Sequence, residues 1–575
     1  MHSRPPTPIS GRRGGFAFIA VLAVLVLLST LVVAAYATAL ADFRSGSMDV
    51  GKSRSLYAAE AGGESAMAQL AVALEDAVLE GSELDMIAAP TLTGFAFDSF
   101  TVRKVGGVEH ERITDGPFTG LYALTQRVEI YSEASDRNRS SSAVLVTAKA
   151  QAIPIFQFGV FYDRDLEIHN GPPMTFSGWV HSNGNIYLSS DHAYFEDLIT
   201  TPRKIFHDRK AYHEVKHGVY IHDASATDVQ LAFDSRSVTD ADAFRSRSDT
   251  DFDGRLRTDA HEVDSLRVPL PDAVDPVEVQ RPRDIDDGSL EIQAKFAHKA
   301  DWYIEVPLDH LSDPADLCAE MIHVRDGGEP LPTLAECQNI FRLEYEAFYD
   351  GREGRFVDVV EVDLARFFNW TGADPARESR ILYLFTSGTG PDPSGDGSFP
   401  VVRLVNGQTL GNPFTFATQH PLYTRGPYNT GLWQPASVVG DALTILSPLW
   451  DDAQQQGPVQ RNATGMGFFA AILMGHSGSP CDHEEPGCVS SGYGGGLENF
   501  PRFLEDWGGD VLTYRGSLVS LHFSRFATAA WGCCTYYTPP TRDWEFDIRF
   551  EDPANLPPGT PVVGNVIHTA FRPVF

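Results

Sequence analysis

The chain is short of positive charge. Across 575 residues it sets 45 Lys and Arg against 77 Asp and Glu, a formal net charge of −32. A surface this acidic repels phosphate backbones, which argues against nucleic acid as a partner. Its simplest use is to keep a large exposed protein soluble. Cysteine is also scarce, with six residues and no CxxC pair. His483 is the only imidazole near the "CDHEEPGC" loop, which leaves too few donors for a zinc site. Cys318–Cys337 and Cys481–Cys488 close the shortest loops and are the simplest disulfides to expect, although sequence does not fix the connectivity. A bridge between the adjacent Cys533 and Cys534 would force an unusual turn, so separate partners or buried thiols are the reading there. The glycine-rich "SSGYGGGLENF" has no following Lys-Ser or Lys-Thr and is not a phosphate loop. "GHSGS" around Ser477 lacks the spacing of a nucleophile elbow. These absences point away from an enzyme.

Charge is missing altogether from Phe16 to Ala41. As a helix, those 26 residues would reach about 39 Å, more than the roughly 30 Å of a bilayer core. The run is too long for the apolar part of a discarded signal peptide. Arg4, Arg12 and Arg13 precede it and favour a cytoplasmic N-terminus, with the acidic body across the membrane. Beyond it, Gly63, Met67, Leu70, Leu74 and Ala77 recur every three or four residues, an apolar stripe of helical period. One helix from about Phe16 to about Leu79 is the simplest account; an anchor followed by a short stalk is the other.

A basic leader ending in glycine, then Phe, then an apolar helix running into an amphipathic one resembles a type IV pilin or pseudopilin. "SLYAAEAGGESAMAQL" is similar to the stretch that follows the anchor in PilX-type minor pilins and in the pseudopilin K group. The resemblance implies a leader at 1–15, cut by a prepilin peptidase between Gly15 and Phe16, with Gly14–Gly15 as the alternative bond. It implies a transmembrane and amphipathic helix over 16–82. Implied partners are other pilin subunits, the peptidase, an inner-membrane assembly platform and the bilayer. Ordinary pilins carry a Glu at the fifth mature position, whose charge answers a neighbour's N-terminal amine inside the membrane. Here that position is Ala20, or Ile19 with the alternative cut. Such a subunit fits a filament tip, a rare position, or an anchored protein that never polymerises. "FDGRLRTDAHEV", "WQPASVVGDALTILSPLWDD" and several other stretches are similar to the body of large PilX-type proteins.

The remainder reads as strands, so the fold class is α+β. "GFAFDSFTVRKV", "LYALTQRVEIYSEA" and "SSAVLVTAKAQA" alternate apolar and polar residues and predict a small antiparallel unit over 83–152. From residue 153 to 575, short strands separated by Gly, Asn and Pro suit stacked coils with sharp corners. A right-handed parallel β-helix is the expectation for this large domain, and a β-sandwich the alternative. A charged stretch at about 190–350 reads as a polar insertion crossing the surface.

Two constellations carry possible chemistry. Asp249, Asp251 and Asp253 before Gly254 match the start of a calcium loop, but Ala260 stands where the closing Glu belongs. A solvated turn explains the same residues, and no other cofactor is expected. Asp163, Asp165 and Glu167 alternate along "DRDLEIH", beside His169, His181 and His192. Paired carboxylates on a β-helix face would suit an anchored protein that binds or cleaves polysaccharide. That is the alternative to a pilin-like structural subunit.

Overall fold

The computed structural model describes residues 15–74, 79, 81–114, 118, 121–137, 139–210, 214–263, 265–266, 274–324, 331–454, 461–479, 493–532 and 535–574. A long N-terminal helix is followed by a body made mostly of strands. Helix α1 spans Gly15–Ala73, 59 residues, or about 89 Å of rise. Its second half lies on a four-stranded antiparallel sheet, and together they form a stalk. Strands β1 (Phe95–Arg112), β2 (Tyr122–Asp136) and β3 (Ser141–Pro154) pair in sequence order. Alternation sorts their faces: Val128, Ile130, Val144 and Val146 are buried under the helix.

The fourth strand of the stalk is the chain's last, Val562–Val574. It runs antiparallel to β3 from Pro154↔Val562 to Ala143↔Val574. The stalk therefore joins the body through two adjacent segments, and the Ile155 amide donates to the Pro561 carbonyl across them at 3.0 Å.

The body is built on an eleven-stranded sheet. All its pairs are parallel except the last, between Trp302–Pro307 and Ile322–Val324. Stacking order and chain order part company once. Val160–Tyr162, Val180–Ser182, Ile199–Thr200 and Leu256–Arg257 stack outward toward one end. The chain then travels to the other end and stacks back from Trp302–Pro307 through Ile381–Ser387, Phe414–Ala417, Ala436–Gly440 and Ala471–Met474 to Leu518–Ser520. That last strand pairs with Val160–Tyr162, so the two runs meet in the middle.

Between visits to this sheet the chain adds strands to other sheets, again mostly in parallel. Leu166–Ile168, Ile186–Leu188 and Ile205–Phe206 form one stack. Arg355–Asp363, Pro400–Val405, Leu422–Arg425, Leu443–Leu446 and Pro501–Arg502 form another. Like side chains fall in register from layer to layer, as in the Tyr428–Phe468–Tyr514 ladder with centroids 5.0 and 6.3 Å apart.

Two hydrophobic layers flank the long sheet. Ile168, Val438, Ile472 and Phe468 belong to the inner one. Phe161, Tyr383, Val439 and Leu473 face outward, where Leu266, Val279 and Phe296 of the segment that travels between the ends cover them, with Ile153 and Ile155 of the stalk base. Within the stretch 190–350, Ile199–Thr200, Leu256–Arg257 and Trp302–Pro307 take places in the long sheet, and charged residues between them fall in helix Ala241–Phe252 and in the segment that travels between the ends.

Candidate functional site

The strongest functional feature is α1 itself. Ala17–Ala73 is the one described helix long and apolar enough to cross a membrane, with a mean hydropathy of 2.9 in its apolar window. Residues 17–50 are exposed throughout. Three hydroxyls in this stretch are satisfied along the helix. Ser29 Oγ donates to the Leu25 carbonyl at 2.6 Å, Thr30 Oγ1 to Leu27 at 2.8 Å and Thr38 Oγ1 to Ala34 at 2.7 Å. In lipid, where water cannot serve polar groups, that matters. Ala20 lies in this exposed stretch, and the first carboxylate is Asp42. Gly15 opens the helix; residues 1–14, where a leader is expected, and the Phe16 side chain lie outside the described residues.

From Gly51 the same helix is buried on one side. Gly51, Ser55, Ala59, Gly62, Ala66 and Leu70 recur at three or four residues and face the sheet. Of the stripe seen in sequence, Gly63, Leu70 and Leu74 are buried and Met67 is half-buried, while Ala77 falls outside the described residues. Small side chains let the backbone come close: a Cβ on Gly62 would collide with Ser132 and stand 2.6 Å from Phe97. Polar ties fix the register. Ser55 Oγ donates to the Ser140 carbonyl at 2.5 Å, and Ser142 Oγ to Lys52 at 2.9 Å. The Gln69 amide exchanges two hydrogen bonds with the Ala88 backbone, at 2.9 and 3.1 Å.

The acidic calcium-loop residues are helical instead. Asp249 and Asp251 occupy the last turns of helix Ala241–Phe252, and Asp253 caps it in the left-handed region at φ 54°. Asp251 faces Arg247 at 3.6 Å and Asp253 faces Arg255 at 3.5 Å. The reason is packing: Phe244, Ser248 and Phe252 are buried at helical spacing, and the Asp240 side chain caps the first turn. Among the described residues, the acidic group close enough to share an ion is Glu346, Asp392 and Asp396, with ligand atoms within 4.8 Å of one another. Asp392 and Asp396 share one loop, while Glu346 comes from an irregular point in the strand Phe341–Asp350, far away in sequence. Glu346 and Asp392 already accept backbone amides, from Ser394 and from Gly395 and Gly397.

Cys318 and Cys337 form a disulfide with Cα atoms 5.9 Å apart. Cys481, Cys488, Cys533 and Cys534 lie outside the described residues. The Ser477 hydroxyl donates to the Ala527 carbonyl at 3.3 Å and accepts from Arg502 at 2.8 Å.

The acid and histidine cluster divides. Asp163 and Asp165 occupy a corner ahead of the strand Leu166–Ile168 rather than its face, because the strand is only three residues long. Glu167 is on that strand and buried, with its carboxylate 3.3 Å from His169 Nε2. Burial works to raise its pKa, but His169, Ser479 and Lys210 outweigh it and hold Glu167 below the usual carboxylate range. The neighbouring Glu498 is also buried, and there burial prevails and pushes the pKa up. His181 is a core residue, bonded to Thr200 and Asn183 at 2.7 and 3.1 Å, and burial brings its pKa down to about 4. His192 is exposed.

No family model matches this chain, and no curated protein matches it. Among solved structures it is similar to the crystal structure of the competence-associated pilin ComZ from Thermus thermophilus. The identity is 11%, with 91% of this chain and 97% of that chain covered and a TM-score of 0.23. A superposition that loose carries no argument.

Proposed function

We propose that the chain is a membrane-inserted, pilin-like structural subunit that carries a large β domain outside the membrane. The observation that carries this reading is the two-part character of α1. One uninterrupted helix is bare over 17–50 and uncharged as far as Ala41, then packs through small residues on an antiparallel sheet. A discarded signal has no reason to continue into a helix that forms half of a folded core. An ordinary anchor has no reason to remain rigid well beyond the bilayer.

The finer reading follows from the same residues. Processing falls between Gly15 and Phe16. The three leader arginines keep the N-terminus cytoplasmic, and the body lies on the far side of the inner membrane. The apolar stretch contacts lipid, or the equivalent helices of other pilin or pseudopilin subunits, and the assembly platform receives it there. Ala20 supplies no carboxylate for a neighbour's amine, which suits a minor, PilX-type or tip position over the bulk of a filament. We read the body as a right-handed parallel β-helix, the hand that parallel crossovers nearly always take.

The test is processing. In cells with the prepilin peptidase, the mature protein is expected to begin at Phe16; without the peptidase it is expected to be heavier by the leader. N-terminal sequencing that finds the leader intact in peptidase-positive cells overturns the pilin reading.

A further inference from the structure

One corner of the body forms a continuous polar groove. Where each layer leaves the long sheet, the chain turns, and six successive turns stack. In stacking order they carry His476, Phe523, Arg164, Asn185, Lys204 and Asp259. The register is explicit. His476 bridges Phe523 in parallel, Leu518–Ser520 pairs with Val160–Tyr162, and the next layers follow. Six layers at about 4.8 Å make a track about 24 Å long. The cleft encloses about 670 Å³.

The track is braced from within. Asp165 Oδ1 accepts the Asn185 amide at 2.8 Å, while its Oδ2 meets Lys210 at 2.8 Å. Asn185 Oδ1 accepts the Lys204 amide at 3.1 Å. Asn183 holds Asp163 at 2.9 Å and both backbone groups of Leu266 at 2.8 and 2.9 Å. Gly184 is required at its corner, since a Cβ there would stand 2.6 Å from the Arg164 backbone. The shape thus exists before any ligand arrives, which lowers the ordering cost of binding.

Its chemistry selects the ligand class. Four carboxylates line the cleft (Asp163, Asp165, Glu167, Asp259), and four cations (Arg164, Arg203, Lys204, Lys210). The groove is electrically balanced on a chain of net charge −32. A polyanion gains nothing there and is repelled by the rest of the surface; a polycation has more acidic places to go. The walls offer carboxylate and guanidinium edges that bond pairs of adjacent hydroxyls. Phe523 offers one exposed ring, 49% accessible, with the Arg164 guanidinium 5.8 Å from its centroid. An extended peptide would seek an open strand edge, but of the six long-sheet strands that feed these turns all except the end one, Leu256–Arg257, are paired on both sides.

We infer that this groove binds a neutral polysaccharide strand lying along the stacked corners, with Phe523 as its apolar platform. The inference does not depend on how the N-terminus is processed. The full chain, purified in a detergent without sugar headgroups, is to be applied to an array of neutral, uronate-bearing and sulfated oligosaccharides. Neutral chains are expected to be retained, longer ones better than disaccharides, with little change on adding salt. By calorimetry with the best neutral oligosaccharide, Phe523→Ala is expected to weaken binding about tenfold. Arg203→Ala, at an exposed site, is expected to weaken it by less, and Leu432→Ala, exposed outside the cleft, to leave it unchanged. Retention of no neutral glycan, preference for sulfated chains, or wild-type affinity in folded Phe523→Ala would each overturn the inference.

Discussion

The stalk and the body solve the problem of burial in opposite ways. The stalk core is made of small and aliphatic residues, with Ala58, Ala59, Ala66 and Gly62 at the helix contact. Small residues there bring a long helix against a sheet over several turns, and each contact gives little by itself. The body core is rich in rings, among them Phe156, Tyr187, Trp302 and Trp507, and it admits buried ions and imidazoles. Arg403, for example, is buried between Glu361 and Asp452 at 2.8 and 2.7 Å. The difference teaches that closeness is the limiting quantity in the stalk, whereas in the body it is register between layers. Perturbing closeness or register should therefore separate the two units.

Acid is expected to have the largest effect, and to act on the body. His181 and His420 are brought to about 4 by burial and His476 to about 3, from an ordinary 6.5. The unfolded chain takes up protons first as pH falls. The stability these groups contribute is complete above about pH 6.5 and is lost toward pH 4 and 3, on the order of 3 kcal/mol per imidazole. Glu505 opposes them: burial raises it to about 7, so its favourable contribution lies at low pH and is lost as pH rises from 4.5 through 7. In the stalk, Glu111 is held below its usual range: burial opposes this, but Lys149, Thr125 and Gln151 outweigh it. Its loss begins only below about pH 4.5. Calorimetric scans from pH 7 to 4.5 should lower the body transition and move the stalk transition less. Equal movement of both would break the contrast.

Next in size is Phe468→Ala, which removes the middle ring of the Tyr428–Phe468–Tyr514 ladder. A loss of about 3–5 kcal/mol is expected in the body, read from denaturant unfolding, with the stalk helix signal unchanged. Smaller is Gly62→Val, which inserts side-chain atoms against Ser132 and Phe97. About 1–3 kcal/mol should be lost from the stalk alone, detected as earlier hydrogen exchange in residues 51–73 and β2. The smallest is Arg103→Ala, which breaks an ion pair with Glu129 whose arginine is 72% exposed. No more than about 1 kcal/mol is expected.

Much of the stalk was legible in the sequence because its signals are local. An uncharged run and a stripe at helical period are properties of adjacent residues, and so is the alternation in β1 to β3. The strand Val562–Val574 was not legible as part of the stalk, since nothing in "VVGNVIHTAFRPV" names β3 as its neighbour. The Asp-rich stretch at 249–253 misled for a related reason. Alternating carboxylates suggested a loop, while Phe244, Ser248 and Phe252, four residues apart, already carried the helical signal. The groove was partly visible, in that Asp163, Asp165 and Glu167 drew attention. Its other wall, from His476 and Phe523, depends on the meeting of the chain's first and last layers, which only the fold reveals.

That the final strand completes the stalk fixes an order of events during synthesis. Strands β1 to β3 are made early, but the edge of β3 stays open until Val562–Val574 emerges, after the whole body. The unit that is translated first is thus finished last, with an unpaired edge to be shielded throughout the making of the body. A nonsense change just ahead of Val562 would leave the body's layers intact and the stalk tied to them through β3 alone, with one edge of its sheet bare.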